Sequence, residues 1–251
     1  MQKKEHKLTY QVVKSNELIT KARYNLTVME QKLIAYIISM IQPDDTEIKL
    51  YEISVVEFCF LCKIDRECFY TRMKEMVDDI YKRRSFWLKT GDGKEEYFTW
   101  FSKVIYEKGK GKIYIKLDSS LSKYVINLKR NYTQYDLSYI LQLHGKYSIR
   151  FYELLKSMFK SKGCRHVEGI LSLDYIKSLL DIKEYGIYSN FRIRVLEPAF
   201  KEINNHTDLS VSYRPEKKGK KIESIFVSAD IKTAAELFDI ILSLPSQPPR
   251  P

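Results

Sequence analysis

One order of elements (helix, short strand, helix, helix, two-stranded hairpin) occurs twice along the 251 residues. It predicts an α+β fold of two tandem winged-helix domains related by pseudo-symmetry. Two further observations agree. The chain is long enough for two ordinary domains, each with its own core. In both halves the apolar spacing changes from helical to alternating where a wing should begin, near Phe86 and near Leu209.

In the first half, Thr27 followed by Glu30 is a capping box, and Leu33, Ile34, Ile37 and Ile41 mark one helical face that ends before Pro43. A strand at Glu47–Leu50 leads into an apolar helix over Ser54–Leu61. Asp65 can cap a third helix with the stripe Phe69, Met73, Met76, Val77 and Ile80. Phe86-Trp87-Leu88, a Gly91-Asp92-Gly93 turn and the runs Tyr97–Tyr106 and Lys112–Leu117 then read as an antiparallel hairpin or meander. The aromatics Tyr97, Phe98, Trp100 and Phe101 suit either a self-association surface or the core.

The boundary falls near Leu128–Thr133, without a flexible linker, so the two domains are expected to pack together. This gives residues 8–128 and 129–230 as the domains and 231–251 as a C-terminal helix and Pro-rich tail. A helix from about Tyr135 to Phe159 carries Ile149, Tyr152, Leu155 and Phe159 on one side, with Lys146, Arg150, Lys156 and Lys160 on the other; Gly163 ends it. Strand Gly169–Leu171, a helix through Leu173, Ile176, Leu179 and Leu180, and a third helix over Ser189–Asn205 follow. The wing is Leu209–Arg214, a long loop Glu216–Lys221, and Ile222–Val227. A last helix spans Thr233–Leu242, and the tail beyond Pro245 should be extended or disordered.

Composition narrows the function. Lysine and arginine number 43 against 32 acids, a net charge of +11, which points to a polyanionic partner, nucleic acid before anionic membrane. The most apolar run, Leu33–Ile41, is far short of the ~18 residues of a membrane span, and MQKKEHKLTY lacks the apolar core of a secretory signal. The expected address is the cytoplasm. Of the four cysteines, Cys59 and Cys62 resemble half a zinc site but lie in the apolar run Val55–Leu61, with no second ligand pair, and read as buried thiols. No phosphate-binding glycine loop, nucleophile elbow or paired histidines are present, so no catalytic residue, cofactor or metal is assigned. A tyrosine nuclease of the rolling-circle type would need such histidines.

The helix Ser189–Asn205 is the candidate reader of double-stranded DNA. Phe191, Val195, Ala199 and Ile203 face inward, while Asn190, Arg194 and Lys201 project outward and Arg192 sits nearer the inner boundary. Arginine suits guanine edges and asparagine suits adenine. Pro198 lies inside this helix, which should bend or restart there. Arg214, Lys217, Lys218, Lys220 and Lys221 form a phosphate clamp on the wing. The corresponding helix of the first half is nearly neutral outside, leaving Arg66, Arg72 and Lys74 as auxiliary contacts, with Lys82, Arg83 and Arg84 at its end.

Val12-Val13-Lys14-Ser15-Asn16-Glu17-Leu18-Ile19, then Tyr24-Asn25-Leu26-Thr27 with Glu30-Gln31-Lys32-Leu33, resembles the opening signature of theta-type plasmid replication initiators of the Rep_3 superfamily. Phe191-Arg192, Arg194-Val195-Leu196-Glu197-Pro198-Ala199-Phe200-Lys201-Glu202-Ile203-Asn204 and Thr207-Asp208 resemble the stretch around that family's recognition helix, proline included. The resemblance covers roughly residues 8–230 and leaves out the tail. It implies a protein that binds direct repeats (iterons) in a plasmid origin, one winged helix to each end of the repeat. It further implies dimers, joined through the N-terminal domain, that repress the protein's own promoter. Monomers would help open the origin and recruit the host's initiator ATPase and replicative helicase, with no hydrolysis by the protein itself. A winged-helix repressor bound to one inverted repeat would share the fold and the charge.

Overall fold

The computed structural model describes residues 10–64, 69–89, 93–107, 109–159 and 163–243. It opens on a strand and a helix that sequence reading overlooks, β1 (Gln11–Ser15) and α1 (Asn16–Lys21). Both are too short for a period to declare itself; the local signal is Ser15, whose Oγ accepts from Leu18 N at 3.1 Å. After β2 (Ala22–Arg23) comes α2 (Val28–Ser39), with the expected capping box: Thr27 N donates to Glu30 at 2.6 Å and Glu30 N to Thr27 at 3.3 Å. Every residue from Glu30 to Ser39 is buried, which makes α2 the central helix rather than a surface one.

The first strand of the winged helix begins where the expected one ends: β3 is Leu50–Ser54, not Glu47–Leu50. α3 (Val55–Leu61) and α4 (Phe69–Arg83) follow, and α4 buries Phe69, Met73, Val77 and Ile80. Asp65, offered as its cap, and the Gly91-Asp92 part of the turn lie outside the described residues. The expected meander is two separate sheets. β4 (Ser85–Lys89) and β5 (Glu95–Thr99) join β2, while β6 (Phe101–Glu107) and β7 (Lys112–Leu117) join β3 in the order β3-β7-β6. The run Tyr97–Tyr106 breaks at Trp100. Trp100 and Phe101 are both buried in succession, which one half-buried strand cannot do. At 1% exposure Trp100 packs on Phe86 at 4.3 Å and edge-on to Tyr24 at 5.2 Å. Phe98, Trp100 and Phe101 therefore belong to the core, and only Tyr97 faces out.

After α5 (Ser122–Val125), the expected long helix from Tyr135 is three elements: β8 (Tyr132–Asp136), α6 (Leu137–Gln142) and α7 (Lys146–Met158). Asp136 ends the strand and caps α6, accepting from Ser138 N at 2.8 Å. Gly145 opens α7 in a tight spot, where a Cβ would meet Ser148 Oγ at 2.5 Å. Then come β9 (His166–Ser172), α8 (Leu173–Leu179), α9 (Tyr188–Phe191), α10 (Glu197–His206), β10 (Leu209–Lys218), β11 (Lys221–Ile231) and α11 (Ala234–Ser243), with the sheet order β10-β11-β9. The wing is longer and more fully paired than expected. Pairing runs to Lys218 opposite Lys221, so the long loop shrinks to a turn of Gly219 and Lys220, with Gly219 at φ +63°. Residues past 243 lie outside the described set.

The two halves are sewn together. β1 pairs antiparallel with β8, Gln11 opposite Asp136 through Ser15 opposite Tyr132. Lys32 reaches from α2 to Leu141 O at 2.6 Å, and Arg23 donates to Ser178 Oγ at 2.9 Å. At the centre Glu153 of α7 accepts from Lys14 Nζ at 2.6 Å and from Tyr135 at 2.5 Å. Arg150, read from sequence as outward, is 3% exposed. It lies over the Tyr24 ring at 4.1 Å and donates to Ala22 O at 3.0 Å and Ile19 O at 3.3 Å. Lys156 also turns in, to Asp208 at 2.8 Å. Lys160 falls outside the described residues.

Candidate nucleic-acid interface

The predicted reading helix forms, and it is anchored at both ends. Phe191, Val195, Ala199 and Ile203 are all buried, as their spacing requires. Phe200 packs on Phe151 at 5.2 Å and on Tyr213 of the wing at 4.9 Å. Asn204 ties α10 to β10 twice, accepting from Val211 N at 2.6 Å and donating to Val211 O at 2.9 Å. Lys232, with its ammonium pushed down by burial, donates to Asn204 O and to Thr207 O, the latter at 2.8 Å. A cation on the last carbonyls of a helix is favourable to the helix dipole. Sequence reading missed Lys232; its partners lie more than twenty residues upstream, and nothing local marks it.

The expected break at Pro198 is a π turn one step earlier. Proline has no N–H, and its ring collides with the carbonyl four residues back, that of Arg194. Residues Arg192–Leu196 instead form a π turn closed by Glu197 N–H onto Arg192 O, and α10 starts with Pro198 in its first turn. The wider turn places one more residue on the outside. Arg192, Ile193 and Arg194 are exposed in succession, together with Asn190 and Lys201. Arg192, assigned nearer the inner boundary, is thus outward, paired loosely with Glu197 at 3.6 Å.

At the wing tip Lys217, Lys218, Lys220 and Lys221 are exposed. Lys218 is 84% exposed, and its 3.7 Å approach to Glu223 is loose enough for a phosphate to replace. Arg214 stands further back. Its guanidinium lies 4.0 Å from the Phe226 ring and donates to Glu216 at 2.9 Å.

The first half neutralises its own charge. On α4, Lys82 pairs with Asp78 and Arg83 with Asp79, at 3.4 and 3.3 Å. Arg84 turns inward to Glu30 at 3.2 Å. Lys74 lies over the Tyr106 ring at 5.3 Å, and Arg72 is exposed on the same helix. Arg66 lies outside the described residues. Cys59 and Cys62 are buried, as read from sequence, and burial pushes the Cys62 thiol up to about 12. Among the described residues no group of three His, Cys, Asp or Glu side chains could hold a metal, and no helix is long and apolar enough to cross a membrane.

Residues 11–156 match the Rep3_N family, initiator replication protein WH1, and residues 172–226 match Rep3_C, initiator Rep protein WH2. An Escherichia coli protein described as a replication initiation protein is 22% identical over 231 residues, 90% of this chain and 71% of its own length. A second, described as an uncharacterized 27.6 kDa protein of the same organism, is 25% identical over 226 residues, 85% and 93% of the two chains. The crystal structure of Pi initiator protein in complex with iteron DNA superposes with a TM-score of 0.75 at 20% identity, covering 89% of this chain and 98% of that one. At that identity the likeness establishes the fold of tandem winged helices.

Proposed function

The chain belongs to the family of replication initiators built from a WH1 and a WH2 domain, and from that premise we propose that it binds the iterons of a plasmid origin and starts replication there. One observation carries the reading. A helix presenting Asn190, Arg192, Arg194 and Lys201 is hydrogen-bonded through Asn204 to a wing whose tip holds four lysines. A winged helix reads bases with the first and grips phosphates with the second. The solved Pi initiator, which shares this fold, carries iteron DNA.

In this proposal residues 129–230 are the main reader, and residues 8–128 add contacts from Arg66, Arg72 and Lys74 and provide the dimer surface. Dimers repress the protein's own promoter. Monomers on the repeats bend the DNA, favour opening of the adjacent origin and recruit the host's initiator ATPase and helicase in the cytoplasm. The protein itself catalyses no reaction; its work is binding and deformation.

Footprinting on DNA flanking the gene tests the proposal. Protection of several evenly spaced direct repeats is expected; protection of a single palindrome would make the protein a plain repressor. Two variants then separate reading from gripping. Arg194→Ala should cost ~1–3 kcal/mol at one base position and relax specificity there. An equal loss on cognate and random duplexes would remove Arg194 from the readers. Lys218→Ala should weaken binding to every sequence alike and lower the salt slope by roughly one, measured by anisotropy titrations at several salt concentrations.

A further inference from the structure

We propose that Ile193 reads a thymine, packing its side chain against the thymine methyl group in the major groove between the contacts of Arg192 and Arg194. The inference rests on the reading of the α9–α10 segment as the groove-facing helix. A lone exposed apolar side chain is ordinary on a protein surface. The position of this one is not. Ile193 is 53% exposed, at the middle of the three residues that the π turn displays outward, with an arginine on each side. This part of the helix fills the core with Phe191, Val195 and Leu196, all buried, and Ile193 stays at its surface.

A face that only collected phosphates would gain from a third polar or cationic residue here. Isoleucine offers no charge and no hydrogen bond, and it is a middling helix former. Its β-branched side chain is stiff at χ1 and holds its direction at a small entropy cost on binding. The major groove has one apolar feature, the methyl of thymine, which distinguishes that base from cytosine. Arginine suits guanine and asparagine suits adenine, so Asn190, Arg192 and Arg194 leave the thymine methyl without an apolar partner. Ile193 supplies it.

The test uses the full-length protein and duplexes carrying the footprinted repeat, in which each thymine is replaced in turn by deoxyuridine. The replacement removes the methyl and keeps the base pair. At one position the wild type should bind about fourfold more weakly, the effect of losing one buried methyl-sized group. Ile193→Ala should bind the thymine and deoxyuridine duplexes equally at that position, while keeping its discrimination at the base read by Arg194. The inference is overturned if no replacement weakens the wild type, or if Ile193→Ala keeps the full penalty. Equal binding of repeats and unselected DNA would instead remove the groove-facing reading of the helix, and Ile193 with it.

Discussion

Glu153→Ala should lower the unfolding free energy by ~3–5 kcal/mol, the cost of leaving buried charges without their partner. Glu153 accepts from Lys14 at 2.6 Å and from Tyr135 at 2.5 Å, and lies 3.5 Å from Arg150. All three charged side chains are buried, so the variant strands two cations in the joint between the halves. Lys14 comes from β1 and Arg150 from α7; the damage falls where the first domain meets the second. Urea unfolding followed by circular dichroism checks it. A loss under about 1 kcal/mol would mean that solvent reaches the cluster and that it contributes no more than a surface pair.

The same cluster sets a pH dependence. Burial pushes the Glu153 carboxyl up, but Lys14, Arg150 and the Tyr135 hydroxyl together outweigh it and hold the group below its ordinary 4.5. A depressed carboxylate contributes stability that is fully present above 4.5 and is lost as pH falls through the lower folded value. The buried hydroxyls of Tyr135 and Tyr152 are raised, by burial first and by Glu153 and Asp208 next; their share is present below their ordinary 10 and lost as pH rises above it. Melting curves between about pH 3 and pH 7 should therefore show a steeper acid limb for the wild type than for Glu153→Ala.

Local signals were legible. The Thr27–Glu30 box, the α4 stripe and the four-residue spacing of Phe191, Val195, Ala199 and Ile203 each involve neighbours within a turn or two, and each forms as read. Long-range pairing was not. β1 has its partner, β8, more than a hundred residues away, and without β1 the residues of β8 simply extended the apolar spacing of the helix that follows. Arg150 looked solvated because helical spacing shows only the face, not that a second domain covers it. On the reading helix, regular α-helical spacing up to the expected break at Pro198 places Arg192 near the inner boundary. The π turn ahead of Pro198 changes that spacing locally, and Arg192 lies outward with Ile193 and Arg194.

Affinity for the origin should fall by ~10³–10⁵ between about 50 and 200 mM salt, as for a protein that neutralises roughly 6–10 phosphates. The exposed cations of the second domain at the helix and wing tip are Arg192, Arg194, Lys201, Lys217, Lys218, Lys220 and Lys221. If Arg192 and Arg194 are spent on base edges, the five cations that remain fall just short of that range, and Arg72 and Lys74 of α4 would carry the total into it. The slope of log affinity against log salt thus counts domains as well as charges. Removing the four wing-tip lysines should reduce it by roughly four. Removing Arg72 and Lys74 should reduce it by about two if the first domain also lies on the backbone. An unchanged slope in that second variant would confine the phosphate contacts to the second domain, where the exposed charge is least neutralised by its own carboxylates. A wild-type slope of only one or two would mean that most of the wing-tip lysines stay off the backbone, as the alternation of Lys217 and Lys218 on opposite faces of β10 allows.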